Sequence, residues 1–69
     1  LSVRERMTLV LQRIQEQEFV VFESLFQPKE GRMGVVVTFI AILELLKGMS
    51  IEVVQAKPFA PIHLRAMTS

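Results

Sequence analysis

No cysteine occurs in the 69 residues. That excludes a disulfide framework, a thiolate nucleophile and the usual cysteine zinc site, and it fits a reducing, cytoplasmic setting. An excess of one charge is missing too: 8 Lys+Arg stand against 7 Asp+Glu for a net charge of +1, and the basic residues are scattered. The basic footprint that phosphate binding requires is therefore lacking. The single histidine, His63, has no companions at ligand spacing, so no metal site is expected. Thr8, Ser24, Thr38 and Ser50 have no acid or base partner foreseeable from spacing. Glu16, Glu18 and Glu23 read as a solvated face rather than paired catalytic carboxylates. A chain this short holds one domain with one modest core and little room for a cleft, so neither catalysis nor a bound cofactor is expected. The apolar run from Val35 to Leu46 is too short to cross a bilayer and is interrupted by Thr38 and Glu44. The chain starts at Leu1 rather than Met, with its first helix beginning almost at once, as a segment cut from a longer protein would.

What is present in excess is apolar helix. Val35 to Lys47 reads as one helix, and at about 100° per residue Val35, Phe39, Ile42, Leu43 and Leu46 make an ordinary core stripe. Val36, Val37, Ile40, Ala41 and Leu45 then occupy much of the remaining circumference, broken only by Thr38, Glu44 and Lys47. A helix apolar nearly all round is normally a buried one. A small domain has too little other protein to wrap it, so another polypeptide is expected to cover part of it.

Around this helix the chain punctuates itself clearly. Ser2 with Glu5 forms a capping-box pattern that starts a first helix, whose inner face carries Val3, Met7, Val10, Leu11 and Ile14. Phe19 to Val21 is a short β-prone run. Phe22, Leu25 and Phe26 at i, i+3, i+4 spacing then give a turn or two of helix, stopped by Pro28. Gly34 in the first turn of the long helix costs up to about 1 kcal/mol relative to Ala. Gly48 stands where a left-handed residue would end that helix. Ile51 to Gln55 and Ile62 to Arg65 read as strands, with Ile51 and Val53 inward on one and Ile62 and Leu64 on the other. His63 points outward. Two prolines between the strands stiffen the connection. Phe19, Phe22, Phe26 and Phe39 are expected in the core.

This order of helix, short strand, short helix, long helix, strand and strand is the winged-helix arrangement: an α+β fold with a three-helix cluster backed by a small antiparallel sheet. Such domains often read DNA with the long helix in the major groove. Base reading needs Arg, Lys, Asn or Gln on the solvent side of that helix. Here the side carries Val36, Val37, Ile40, Ala41 and Glu44, and the wing offers only Lys57 among prolines and Phe59. The same surface suits a protein interface, apolar at its centre with a few charges at its rim. A DNA-binding winged helix and a homodimer through the apolar surface remain the alternative readings.

The segments SVRERM (Ser2 to Met7), FESLF (Phe22 to Phe26), VVVTFIAILELLKGMSIEVVQ (Val35 to Gln55) and PFAPIHL (Pro58 to Leu64) resemble the C-terminal winged-helix domain of bacterial segregation and condensation protein A. That family is the kleisin subunit of the SMC condensin-like complex. The resemblance implies one winged-helix domain over residues 1–69, taken from the C-terminal end of a longer kleisin. It implies a bridging role without catalysis in chromosome condensation and segregation. In the family this domain docks on the ATPase head of one SMC protomer, while segments absent here engage the other. The ATP site belongs to the partner, and DNA and membrane contacts are not implied. Carried over by position, Val36, Val37, Ile40, Ala41 and Glu44 would lie at the head-binding face, with Phe59 and Ile62 as a second patch. His63 departs from the family, where Tyr is more usual.

Overall fold

The computed structural model describes residues 2–67, so the outermost ends of the expected domain, residues 1, 68 and 69, lie outside the described residues. Helix α1 runs Val3–Glu16, the Ser2 hydroxyl accepting from the Glu5 N–H at 3.4 Å. Strand β1, Val20–Val21, is followed by 3-10 turns at Phe22–Leu25 and Pro28–Glu30. Helix α2 spans Gly31–Lys47, and strands β2, Ile51–Val54, and β3, His63–Ala66, close the fold. The middle helix of the expected cluster is thus reduced to two 3-10 turns, because Pro28 removes an N–H and biases Gln27 away from helical geometry. Phe22 and Phe26 stay packed together edge to face, ring centroids 5.0 Å apart.

The antiparallel sheet has the order β1-β3-β2, which puts the last strand in the middle. Val20 and Val53 flank Leu64, and Val21 and Val54 flank His63. Register alone therefore sorts the two faces. Val20, Ile51, Val53, Leu64 and Ala66 face the helices, and Val21, Val54 and His63 face away. Val53 keeps its expected side but is half exposed, since β2 is an edge strand. The core unites Val10 and Ile14 of α1, Ile42 and Leu45 of α2, Leu25 of the first 3-10 turn, and Val20, Ile51 and Leu64 of the sheet.

Helix α2 is rotated from the expected setting. Its buried face carries Gly34, Val37, Thr38, Ala41, Ile42 and Leu45. Val35, Phe39 and Leu43, expected in the core, are exposed, whereas Leu45, expected outside, is buried. Side-chain size explains the choice: the distance between packed helix axes depends on the residues at the contact. Gly34, Thr38 and Ala41 recur at i, i+4, i+7 on the buried side, where small side chains let neighbouring elements come near the helix axis. Thr38 is fully buried there and its hydroxyl has no hydrogen-bond partner.

An ion pair fastens the start of this contact. Arg6 of α1 is buried at 6% exposure and donates to Glu30, which sits just before α2. The other Glu30 oxygen is buried without a partner, so Arg6 alone compensates the carboxylate. Two glycines make the arrangement possible. Gly31 adopts φ +70° with ψ −158°, a region essentially reserved for glycine. At Gly34 a Cβ would collide with the Glu30 side chain, lying 2.9 Å from Oε1, so the apparent helix weakness is a requirement for close approach. At the other end Gly48 is right-handed, contrary to expectation, and Met49 takes the left-handed position at φ +60°. The Ser50 N–H donates to the Leu45 carbonyl and that of Met49 to Leu46, both at 3.0 Å. These bonds form a Schellman ending whose carbonyls are satisfied at the expense of a non-glycine αL residue.

Removing one partner of a buried ion pair strands the other charge and costs on the order of 3 kcal/mol, a large part of a small domain's stability. Glu30→Ala is expected to lower the urea midpoint sharply, and the double variant Glu30→Ala with Arg6→Met to recover much of the loss. Urea denaturation followed by circular dichroism checks both.

Candidate protein-docking surface

The rotation of α2 that buries its small residues turns its large ones outward. Val36, Phe39, Ile40 and Leu43 stand at i, i+3, i+4, i+7, which makes a continuous stripe along the solvent side, and Val35 borders it. Exposure along it runs from 39% at Ile40 to 48% at Val35. The rim is polar: Arg32 and Lys47 are exposed at the two ends, and Glu44 pairs with Lys47 at 3.7 Å. Covering a stripe of this kind removes on the order of 300 Å² of apolar surface from water, worth about 7 kcal/mol gross.

The expected docking residues divide on this geometry. Val36, Ile40 and Glu44 are exposed and share the outward side of α2. Val37 and Ala41 are not available to a partner: at 5% and 0% exposure they are core residues. The excess of apolar helix surface is real, but it is centred on Phe39 and Leu43, which periodicity alone places inside.

In the wing, Phe59 does not fold back on the helices. It is fully exposed with φ +68°, a left-handed conformation costing about 1 kcal/mol or more for a residue with a Cβ. Ile62, three positions on and expected inward, is 39% exposed, its carbonyl accepting from the Phe22 N–H at 2.9 Å. Phe19 is likewise outside the core. It lies edge-on to His63 with centroids 6.2 Å apart and carries the Arg65 guanidinium 5.8 Å from its ring centre. His63 is a half-buried aromatic on the outward sheet face, as expected. Arg65 also pairs with Glu52 across the strands at 3.1 Å.

Arg6 and Arg13 went unforeseen as fastenings. Arg13 donates to the Ser24 carbonyl at 2.8 Å and its hydroxyl at 3.3 Å, tying α1 to the first 3-10 turn. No spacing rule joins residues so far apart in sequence. Among the described residues no group of three or more His, Cys, Asp or Glu is assembled to hold a metal ion, and no helix is long and apolar enough to cross a membrane.

Taken together, the element order and the central last strand define a winged-helix domain of the α+β class with an unpartnered apolar helix face. Sequence comparison adds the family. The chain is 56% identical over 66 residues to segregation and condensation protein A of Coxiella burnetii, covering 96% of this chain and 25% of the relative. It is 47% identical over 70 residues to the protein of that name in Myxococcus xanthus, covering 90% and 24%, respectively. The corresponding figures for Xylella fastidiosa are 42% over 67 residues, 97% and 22%. No protein-family model matches the chain. Over the portion it spans, about a quarter of these relatives' length, the chain belongs to the segregation and condensation protein A family.

Adjacent positions on α2 separate the two faces. Val37→Asp is expected to unfold the chain, whereas Val36→Asp is expected to leave the far-ultraviolet circular dichroism spectrum native and the melting midpoint nearly unchanged. Thermal melts of the two variants check the assignment.

Proposed function

We propose that this domain is the docking module of a kleisin-type subunit acting in chromosome segregation and condensation. It sits on the ATPase head of an SMC protein through the outward face of α2. The observation that carries this reading is the stripe of Val36, Phe39, Ile40 and Leu43, exposed on a helix whose other side is already fully used by the core. A helix presenting anchors at i, i+3, i+4, i+7 fits an apolar groove on a protein, with Glu44 and Lys47 meeting polar groups at the rim. The module supplies no catalytic group of its own, and nucleotide chemistry belongs to the head. Segments of the longer protein would reach the second SMC protomer, so that docking here completes a bridge. A role on chromosomes would then place it in the cytoplasm at the nucleoid.

The homologues' shared name supports the setting, and the surface chemistry supports a protein rather than a nucleic acid at this face. An apolar stripe with a carboxylate beside it would exclude water without replacing it by base contacts, and Glu44 would repel phosphate.

Ile40→Arg is expected to leave the circular dichroism spectrum native while abolishing co-purification with the SMC head from the same genome. Retained capture would reject the docking face. A DNA duplex titrated at low salt is expected to give no saturable anisotropy change; binding with a steep salt dependence would instead support the groove-reading alternative.

A further inference from the structure

Sulfur occurs in these 69 residues only as thioether: four methionines and no cysteine. Oxidation of the side-chain sulfur here is therefore methionine chemistry. The fold sets the four apart. Met7 packs against the core, and Met67 follows β3. Met33 and Met49 are the two most open to solvent, at 61% and 68% exposure. Met49 lies beyond the end of α2, whereas Met33 lies on the helix itself.

The place of Met33 on α2 is what gives it consequence. Met33, Val36, Ile40 and Leu43 stand at i, i+3, i+7 and i+10, so Met33 is the first member of the outward stripe and the one most exposed. The buried side of the helix begins instead at Gly34, and Met33 takes no part in the core cluster. A change at its sulfur reaches the stripe without reaching the packing of the fold. As a thioether the side chain is apolar and adaptable, suited to an aliphatic contact. As a sulfoxide it carries a strong acceptor oxygen. Seated against an apolar partner, that oxygen would give up its water and find no donor, a cost that falls on the docked state alone.

We propose that Met33 is a reversible oxidation site that controls docking through α2, the thioether form binding the SMC head and the sulfoxide form releasing it. The inference rests on the docking reading above and adds a chemical control to it. The oxidant is hydrogen peroxide. A sulfur lone pair attacks one peroxide oxygen, and the O–O bond breaks as the S–O bond forms. The second oxygen leaves as hydroxide and takes the proton of the first to become water, so sulfur loses the two electrons that peroxide gains. Reduction by two thiols returns the thioether, with the oxygen leaving as water and the thiols joined as a disulfide.

Peptide mapping by mass spectrometry and isothermal titration against the purified SMC head test this, after treatment of the chain with dilute peroxide and removal of the excess. Chain with Met33 mapped as sulfoxide is expected to keep its circular dichroism spectrum and to bind the head about tenfold more weakly, as an acceptor buried without a donor would require. Methionine sulfoxide reductases A and B with a thiol are expected to restore the affinity. Met33→Leu is expected to bind as the parent does and to keep its affinity through the same treatment, whereas Met49→Leu is expected to lose it as the parent does. Parental affinity in chain carrying the Met33 sulfoxide overturns the proposal and leaves docking through α2 standing. An equal loss in treated Met33→Leu overturns it as well, since the cause then lies at another methionine, and so does a loss of affinity that accompanies unfolding. Absence of head binding by the untreated chain removes the docking reading and this proposal together.

Discussion

The packing of α2 on α1 is the constraint on which the rest of this domain depends. The buried side of α2 carries the small residues Gly34, Thr38 and Ala41, and the buried pair of Arg6 and Glu30 fastens its start to α1. Each element of it forces another. The Glu30 side chain can lie over the helix start only because position 34 has no Cβ, and the chain can turn into α2 only through a glycine at position 31. Once the small face is inside, Ile42 and Leu45 reach the core beside it and the large residues of the opposite side have no internal place to go. The outward stripe is thus a consequence of how the core is built. A helix designed only for stability would carry charge there.

Much of the architecture was legible from punctuation in the sequence. The capping pattern at Ser2 and Glu5, the stop at Pro28, the end of the long helix at Gly48 and the alternation in the last two strands located elements close to where they lie. Those signals are local, and local chemistry produced them. The rotation of α2 was not legible for a physical reason: with apolar residues on nearly every side, periodicity gives no preferred face, and hydrophobicity ranks Phe39 and Leu43 above Gly34 and Thr38 as core candidates. Packing ranks them the other way, by the distance at which two helices can meet. Of the expected docking residues, Val37 and Ala41 fell to this error, whereas Val36, Ile40, Glu44, Phe59 and Ile62 are on the surface. The pairing of Arg6 with Glu30 was equally hidden, since 24 positions separate partners that only the folded chain brings together.

Among the described residues, two that are not glycine adopt left-handed backbone, Met49 and Phe59, for different reasons. At Met49 the conformation is repaid locally: it lets the N–H groups of residues 49 and 50 satisfy carbonyls at the end of α2, which otherwise would be left without partners. The side chain needs no further role. At Phe59 the turn closes with a single backbone bond that glycine would allow equally well, and the phenyl ring touches nothing in the chain. The first case is explained by the fold. In the second, no packing among the described residues offsets the strain.

Under the proposed docking, the two surface features would act differently. The α2 stripe offers area without much directionality, since aliphatic contacts are tolerant of small shifts. A rigid aromatic on a separate element would supply what the stripe lacks, a fixed point that sets orientation and register. Neither part requires the domain to change shape on binding, because α2 is locked to α1 and the wing turn is held by its prolines and by Gln55. In the proposed complex such a domain would pass on position rather than conformational change, since nothing in it has to rearrange when a partner covers α2.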